Sequence, residues 1–106
     1  MGKIIQIETP AEKLMHGLSA VERALVQKQA RLNSEIRAHN KKGWLQKDIE
    51  LLANQKDTRK TVEQLLAQAR MNIRGFTAIV GSASEVELAH VEESYSRLRT
   101  EYMKLP

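Results

Sequence analysis

The chain has 106 residues, of which 42% are hydrophobic and only 4% aromatic, and it contains no cysteine. This length suits one domain, and the lack of cysteine excludes disulfides and thiolate metal sites. The formal net charge is +4. The sequence contains no run of about 18 apolar residues, which a membrane-spanning helix would need. The first residues lack the apolar stretch of a signal peptide. We therefore expect one cytoplasmic, soluble domain without membrane contact, built from packed helices with an aliphatic core.

A first helix is predicted for residues 10–42. Thr9, Pro10 and Glu12 are typical of a helix start, because threonine caps free amides, proline suits the first helical position and glutamate completes a capping box. Apolar residues then recur at helical spacing and predict one buried stripe: Leu14, Leu18, Val21, Leu25, Leu32 and Ile36. His39 lies in the seven-residue row of this stripe, and we expect it to be half-buried near a hairpin turn.

A second helix is predicted for residues 44–74, with Gly75 as its stop. Its centre is weak, because residues 54–61 are all polar. A break near 54–58 is one interpretation, and a continuous helix is the favoured one, since no glycine or proline interrupts the stretch. A helix-turn-helix is disfavoured, because its register puts Lys56 at an apolar position.

A loop is predicted for residues 75–83. Residues 76–80 are apolar and β-branched, as are residues 3–7, so the two segments could pair as a short β-ribbon. Isolated two-stranded pairs are marginally stable. We therefore favour the alternative that both segments are extended and cover the ends of the helical bundle.

A third helix is predicted for residues 84–104, with Ser84 and Glu87 as its capping box. Apolar residues follow one another at intervals of three and four along one face, called here the α3 seam: Leu88, Val91, Tyr95, Leu98, Tyr102 and Leu105. A seam this regular must be buried. It either packs on the first two helices or binds another protein chain, and the sequence supports both alternatives equally.

The predicted architecture is all-α. A helix of about 30 residues is roughly 45 Å long, whereas a compact chain of this size has a radius of gyration of about 13 Å. We therefore expect an elongated antiparallel hairpin plus a third amphipathic helix, forming a coiled-coil-like bundle of three or four helices. Because elongated bundles often complete their core by dimerising, a homodimer is the leading expectation.

Positive charge is concentrated in the predicted hairpin. Residues 10–42 hold seven Lys/Arg against three Glu, whereas residues from 76 onward hold three Lys/Arg against five Glu. A hairpin turn would gather a basic tip with a candidate anion- or nucleic-acid-binding set: Arg37, Lys41, Lys42, Trp44 and Lys47. The simpler interpretation is a solvated surface, and we favour it because the tip lacks the interleaved aromatic residues of single-strand binders.

Catalytic and metal-binding motifs are not evident. Glu87 and His90 form one Glu-x-x-His pair, but di-iron bundles need two such pairs and two further glutamates. No nucleophile elbow or glycine-rich phosphate loop occurs. We therefore expect no enzymatic activity, no metal and no cofactor.

The sequence thus favours a non-enzymatic helical protein–protein interaction factor, such as an adaptor, inhibitor or assembly factor. The α3 seam is its predicted partner-binding face, because tyrosines at seam positions suit an interface. The alternative is an accessory or regulatory protein that binds nucleic acid through the basic hairpin.

Overall fold

The computed structural model describes residues 9–42 and 48–106, and these residues form three α-helices. Helix α1 spans Pro10–Asn40, α2 spans Ile49–Thr77 and α3 spans Glu85–Met103. Each of the three helices packs against the other two. The predicted all-α class, with a hairpin and a third helix, is confirmed.

Helices α1 and α2 run antiparallel along an elongated molecule. Arg70 on α2 lies 3.4 Å from Glu22 on α1, and Gln55 lies 3.4 Å from Glu35. Residue numbers therefore rise along one helix as they fall along the other. The radius of gyration is 18.5 Å, well above the value of about 13 Å for a compact chain of this length. The predicted elongation is confirmed.

Helix α1 begins where predicted. The Thr9 hydroxyl accepts a hydrogen bond from the Glu12 backbone N–H at 3.2 Å, and Pro10 occupies the first turn. The helix ends at Asn40 rather than at residue 42, because Lys41 is the C-cap. The predicted stripe is buried along its length, except that Leu14 is partly exposed.

Helix α2 begins later than predicted. The backbone of Asp48 is extended, with φ −93° and ψ 98°, and its side chain accepts the Leu51 N–H as an N-cap. The helix therefore starts at Ile49 and not at residue 44, because the aspartate satisfies a free amide of the first turn. Residues 44–47 lie outside the described part of the chain.

The other end of α2 runs past its predicted stop at Gly75. Phe76 is only 1% exposed, and it continues the buried spacing of Ala69 and Ile73 along the helix. Burying a phenylalanine contributes about 1.5–3 kcal/mol, whereas a glycine inside a helix costs about 1 kcal/mol. Packing of Phe76 therefore carries the helix through the glycine to Thr77.

The polar centre of α2 is helical without a break, as favoured from the sequence. Arg59 Nη1 donates to Asn33 Oδ1 on α1 at 3.3 Å, so the polar residues are held by contacts across the hairpin. The following loop covers residues 78–84 rather than 75–83.

The suggested β-ribbon is described on one side only. Residues 3–7 lie outside the described part of the chain. Of residues 76–80, the first two end α2 and the other three form a turn, so this segment is not the extended cover that the sequence favoured.

The core runs between all three helices. Its buried members come mainly from α1 and α2, with a single one from α3: Ala11, Leu18, Val21, Leu25, Leu32, Val62, Leu65, Leu66, Ala69, Phe76 and Leu98. Helix α3 begins at its predicted capping box, in which the Glu87 N–H donates to Ser84 Oγ at 3.2 Å. This box satisfies two backbone N–H groups that the start of α3 would otherwise leave free.

Candidate interaction surface

The α3 seam packs against the hairpin of its own chain. Leu98 is 3% exposed, and the partly buried seam residues that pack against the core are Leu88, Val91, Tyr95, Tyr102 and Leu105. Of the two alternatives left open by the sequence, packing within the chain is the one seen here. These contacts occupy part of the seam, and its five partly buried residues remain partly exposed.

Helix α3 covers only part of the hairpin. The Lys28 ammonium donates to the backbone carbonyl of Pro106, so the last described residue lies beside Lys28. Helix α1 continues from there to Asn40, which corresponds to roughly 18 Å of helix at 1.5 Å per residue. No described residue of α3 lies over this farther half of the hairpin.

The uncovered half contains a groove between α1 and α2 that continues the path of α3. Its volume is about 620 Å³. We call it the open groove, and its lining residues are Lys28, Arg31, Leu32 and Glu35 of α1, Leu51, Asn54, Gln55, Asp57 and Thr58 of α2, and Pro106 at one end. Leu51 is 46% exposed, so the groove presents apolar surface to whatever enters it.

Polar groups in the open groove are incompletely paired. Gln55 Nε2 donates to Glu35 Oε2 at 3.4 Å, while Gln55 Oε1 is buried without a partner among the residues that the structure describes. The groove also holds two cations, Lys28 and Arg31, and a second acid, Asp57. No ion pair within the described ranges joins any two of these four charged side chains.

The basic tip is only partly described. Arg37, Lys41 and Lys42 are exposed at the end of α1. Exposure is required both of a binding surface and of a solvated surface, so it does not separate the two interpretations. Trp44 and Lys47 lie outside the described residues.

His39 has a structural position at this tip. Its ring is 4% exposed, and Nε2 accepts a hydrogen bond from the Asp48 backbone N–H at 2.9 Å. The histidine therefore faces the start of α2, and its burial near the turn is deeper than the half-burial expected from its place in the leucine row.

The Glu-x-x-His pair on α3 is partly engaged in capping. The Ser84 N–H donates to Glu87 Oε1 at 3.1 Å, and the hydrogen bonds from Ser84 lower the pKa of the Glu87 carboxyl. Within residues 9–42 and 48–106, no three His, Asp or Glu side chains gather as metal ligands.

Over the described ranges, no helix combines the length and apolar character that crossing a bilayer demands.

Comparison with known proteins gives no relative for this chain: no family model, curated protein or solved structure matches it. The open groove was not predicted from the sequence, although the lengths of the predicted helices indicate it. The predicted third helix, 84–104, is shorter than the first, 10–42, so it cannot cover the whole hairpin.

Proposed function

We propose that this protein is a non-enzymatic helical interaction factor, an adaptor, inhibitor or assembly factor that binds another polypeptide through its helix faces. One observation carries the proposal: α3 fills the groove between α1 and α2 for only part of its length, and the open groove continues beyond Pro106. The docking face is thus the open groove, in place of the α3 seam predicted from the sequence.

The dimensions of the hairpin support a helical ligand. The same two helices that line the open groove already accept α3 farther along, and helices pack at characteristic separations of about 8–10 Å. Leu51 supplies an exposed apolar contact, while Arg31 and Asp57 supply charges of both signs. Charges of both signs in the open groove contribute to the choice of partner more than to affinity.

Capture from an extract of the native host tests this proposal. Leu51→Glu places a carboxylate in the open groove and should abolish retention of the partner. Met71→Glu is the matched control, because Met71 is on the same helix, is 72% exposed and lies outside the open groove. Equal capture by the two variants would show that the open groove does not bind the partner.

A second candidate is nucleic-acid binding through the basic tip. Arg37, Lys41 and Lys42 are exposed there, and no ion pair within the described ranges neutralises them. If they hold phosphates, replacing Lys41, Lys42 and Lys47 with Gln should weaken DNA binding and flatten its salt dependence by about one unit of slope per lost contact. We favour protein binding. In that case, the triple variant should bind the protein partner as wild type does.

A further inference from the structure

We infer that residues 49–61 of α2, called here the α2 wall, open from the hairpin as a separate unit while the rest of α2 stays folded. The opening follows from how this segment is packed. Its consequence for binding rests on the proposed function, because the α2 wall is one side of the groove that we assign to the partner.

Burial changes sharply along α2. No residue of the α2 wall is buried. From residue 62 onward, the same helix contributes several buried side chains to the core: Val62, Leu65, Leu66, Ala69 and Phe76. Within the α2 wall, Ile49 is 61% exposed and Leu51 is 46% exposed. A helix in a protein is stabilised mainly by packing of its apolar face. The α2 wall therefore lacks the contribution that holds the rest of α2 in place.

Polar contacts attach the α2 wall to α1 instead. Hydrogen bonds join the wall and its N-cap to α1: Asp48 to His39 at 2.9 Å, Gln55 to Glu35 at 3.4 Å and Arg59 to Asn33 at 3.3 Å. Such bonds give little net stability, because water replaces them when the segment opens. Gln55 Oε1 is buried without a partner among the described residues, so opening returns this acceptor to water.

The α1 side of the open groove is packed more firmly. Leu32 belongs to the core, and Ile36 is 3% exposed. Helix α1 continues without a break from Leu18 and Leu25, which are fully buried. Segments with few buried apolar contacts open at a lower free energy than the whole domain. The open groove thus combines one firmly held side with one side that opens first.

Opening of the α2 wall has a direct consequence for binding. Every α2 residue that lines the open groove lies within the α2 wall, so the groove exists only while the wall is closed. A partner that binds the closed groove favours the closed form by mass action. Its apparent affinity is reduced in proportion to the fraction of molecules that are open.

Amide hydrogen exchange of the full chain, measured by mass spectrometry, tests the inference. After correction for intrinsic rates, amides of residues 53–61 should exchange about tenfold faster, or more, than those of residues 65–76. The first amides of α2 are left out, because the start of any helix lacks intrahelical acceptors. Urea below the unfolding transition should accelerate residues 65–76 more steeply, because complete unfolding exposes more surface than opening of the α2 wall.

Two matched variants separate opening of the α2 wall from unfolding of the whole helix. Ala53 and Ala67 are both exposed on α2, and neither lines the open groove. Glycine at either position weakens the helix by about fivefold in its equilibrium constant. Ala67→Gly should accelerate residues 65–76 about fivefold and leave residues 53–61 unchanged, because residue 67 stays helical when the wall opens. Ala53→Gly should accelerate both groups, since residue 53 is unfolded in either event.

Two results would overturn the inference: equal exchange of the two groups in wild type, or an Ala67→Gly variant in which both groups accelerate alike. Either would mean that α2 unfolds as one unit. The proposed function fails differently, through capture of a host protein that is unaffected by Leu51→Glu. Exchange as expected together with unaffected capture would leave the opening of the α2 wall in place and show that the groove is not the docking face.

Discussion

Gly17 on α1 lies against the phenol end of the Tyr95 side chain on α3. A Cβ atom at Gly17 would be 2.8 Å from Tyr95 Cζ, closer than real Cβ atoms approach other heavy atoms. Glycine is otherwise a poor choice inside a helix, where it costs about 1 kcal/mol relative to alanine. The close approach of α3 to α1 therefore explains a residue that the sequence pattern alone left without a reason.

Gly17→Ala should accordingly stabilise the fold in a Tyr95→Ala background but not in wild type. In wild type, the new methyl group displaces the Tyr95 ring, and this offsets the gain in helix propensity. In a Tyr95→Ala background the ring is gone, so the same change should stabilise the fold by about 1 kcal/mol. Urea unfolding of the four proteins in the cycle should give a coupling of about 0.5–3 kcal/mol. Additive effects would mean that the two residues do not meet.

Leu98→Asp should disrupt the attachment of α3 to the hairpin. Leu98 is 3% exposed, and an unpaired carboxylate buried there costs several kcal/mol. Glu93→Lys is the control on the outer face, where it replaces the exposed pair with Arg97 at 3.1 Å by two like charges, at a total cost of about 0.5–1 kcal/mol. Thermal melts that show similar losses for both variants would contradict the placement of the seam.

Local signals in the sequence determine most of the fold. Ser84 and Glu87 mark the start of α3, and the spacing of Leu18, Leu25 and Leu32 identifies the buried face of α1, because both patterns act within a few turns of helix. The passage of α2 through Gly75 could not be predicted in this way. It depends on burial of Phe76 against other elements, which is a tertiary effect.

The candidate surface was harder to predict than the fold. The α3 seam was correctly identified as a buried face, but its apolar spacing does not say whether the burying partner is the same chain or another. The open groove arises from the difference in length between α3 and the hairpin and from the register of Gln55 against Glu35. The difference in length follows from comparing the predicted helices, but the register is not visible in the periodicity of a single helix.

The hydrogen bond between His39 and Asp48 should be required for a stable hairpin tip. His39→Leu fills the space but leaves the Asp48 N–H without its acceptor. This hydrogen bond is only partly buried, so we expect a loss of about 1 kcal/mol. His39→Gln keeps an acceptor on the side chain and should recover part of this loss. Denaturant unfolding of the two variants checks the order of stability, and a Leu variant as stable as the Gln variant would show that the hydrogen bond is dispensable.

The capping box of α3 should make stability sensitive to acid. Hydrogen bonds from Ser84 lower the pKa of Glu87 in the folded chain, so the ionised carboxylate stabilises the fold above the ordinary glutamate pKa. This contribution is lost as the pH falls through the lowered pKa of the folded state. The difference in melting temperature between wild type and Glu87→Gln should therefore be largest at neutral pH and shrink in acid. A constant difference would contradict the assignment.

Coverage of the open groove inside native cells tests the central claim most directly. The chain has no cysteine, so Leu51→Cys and Met71→Cys each carry a single thiol, the first in the groove and the second outside it. Each rate of maleimide labelling in cells is divided by the rate for the same purified variant at high dilution. We expect the position-51 ratio to fall well below the position-71 ratio, because a bound helix face shields the groove. Equal ratios at the two positions would contradict the account.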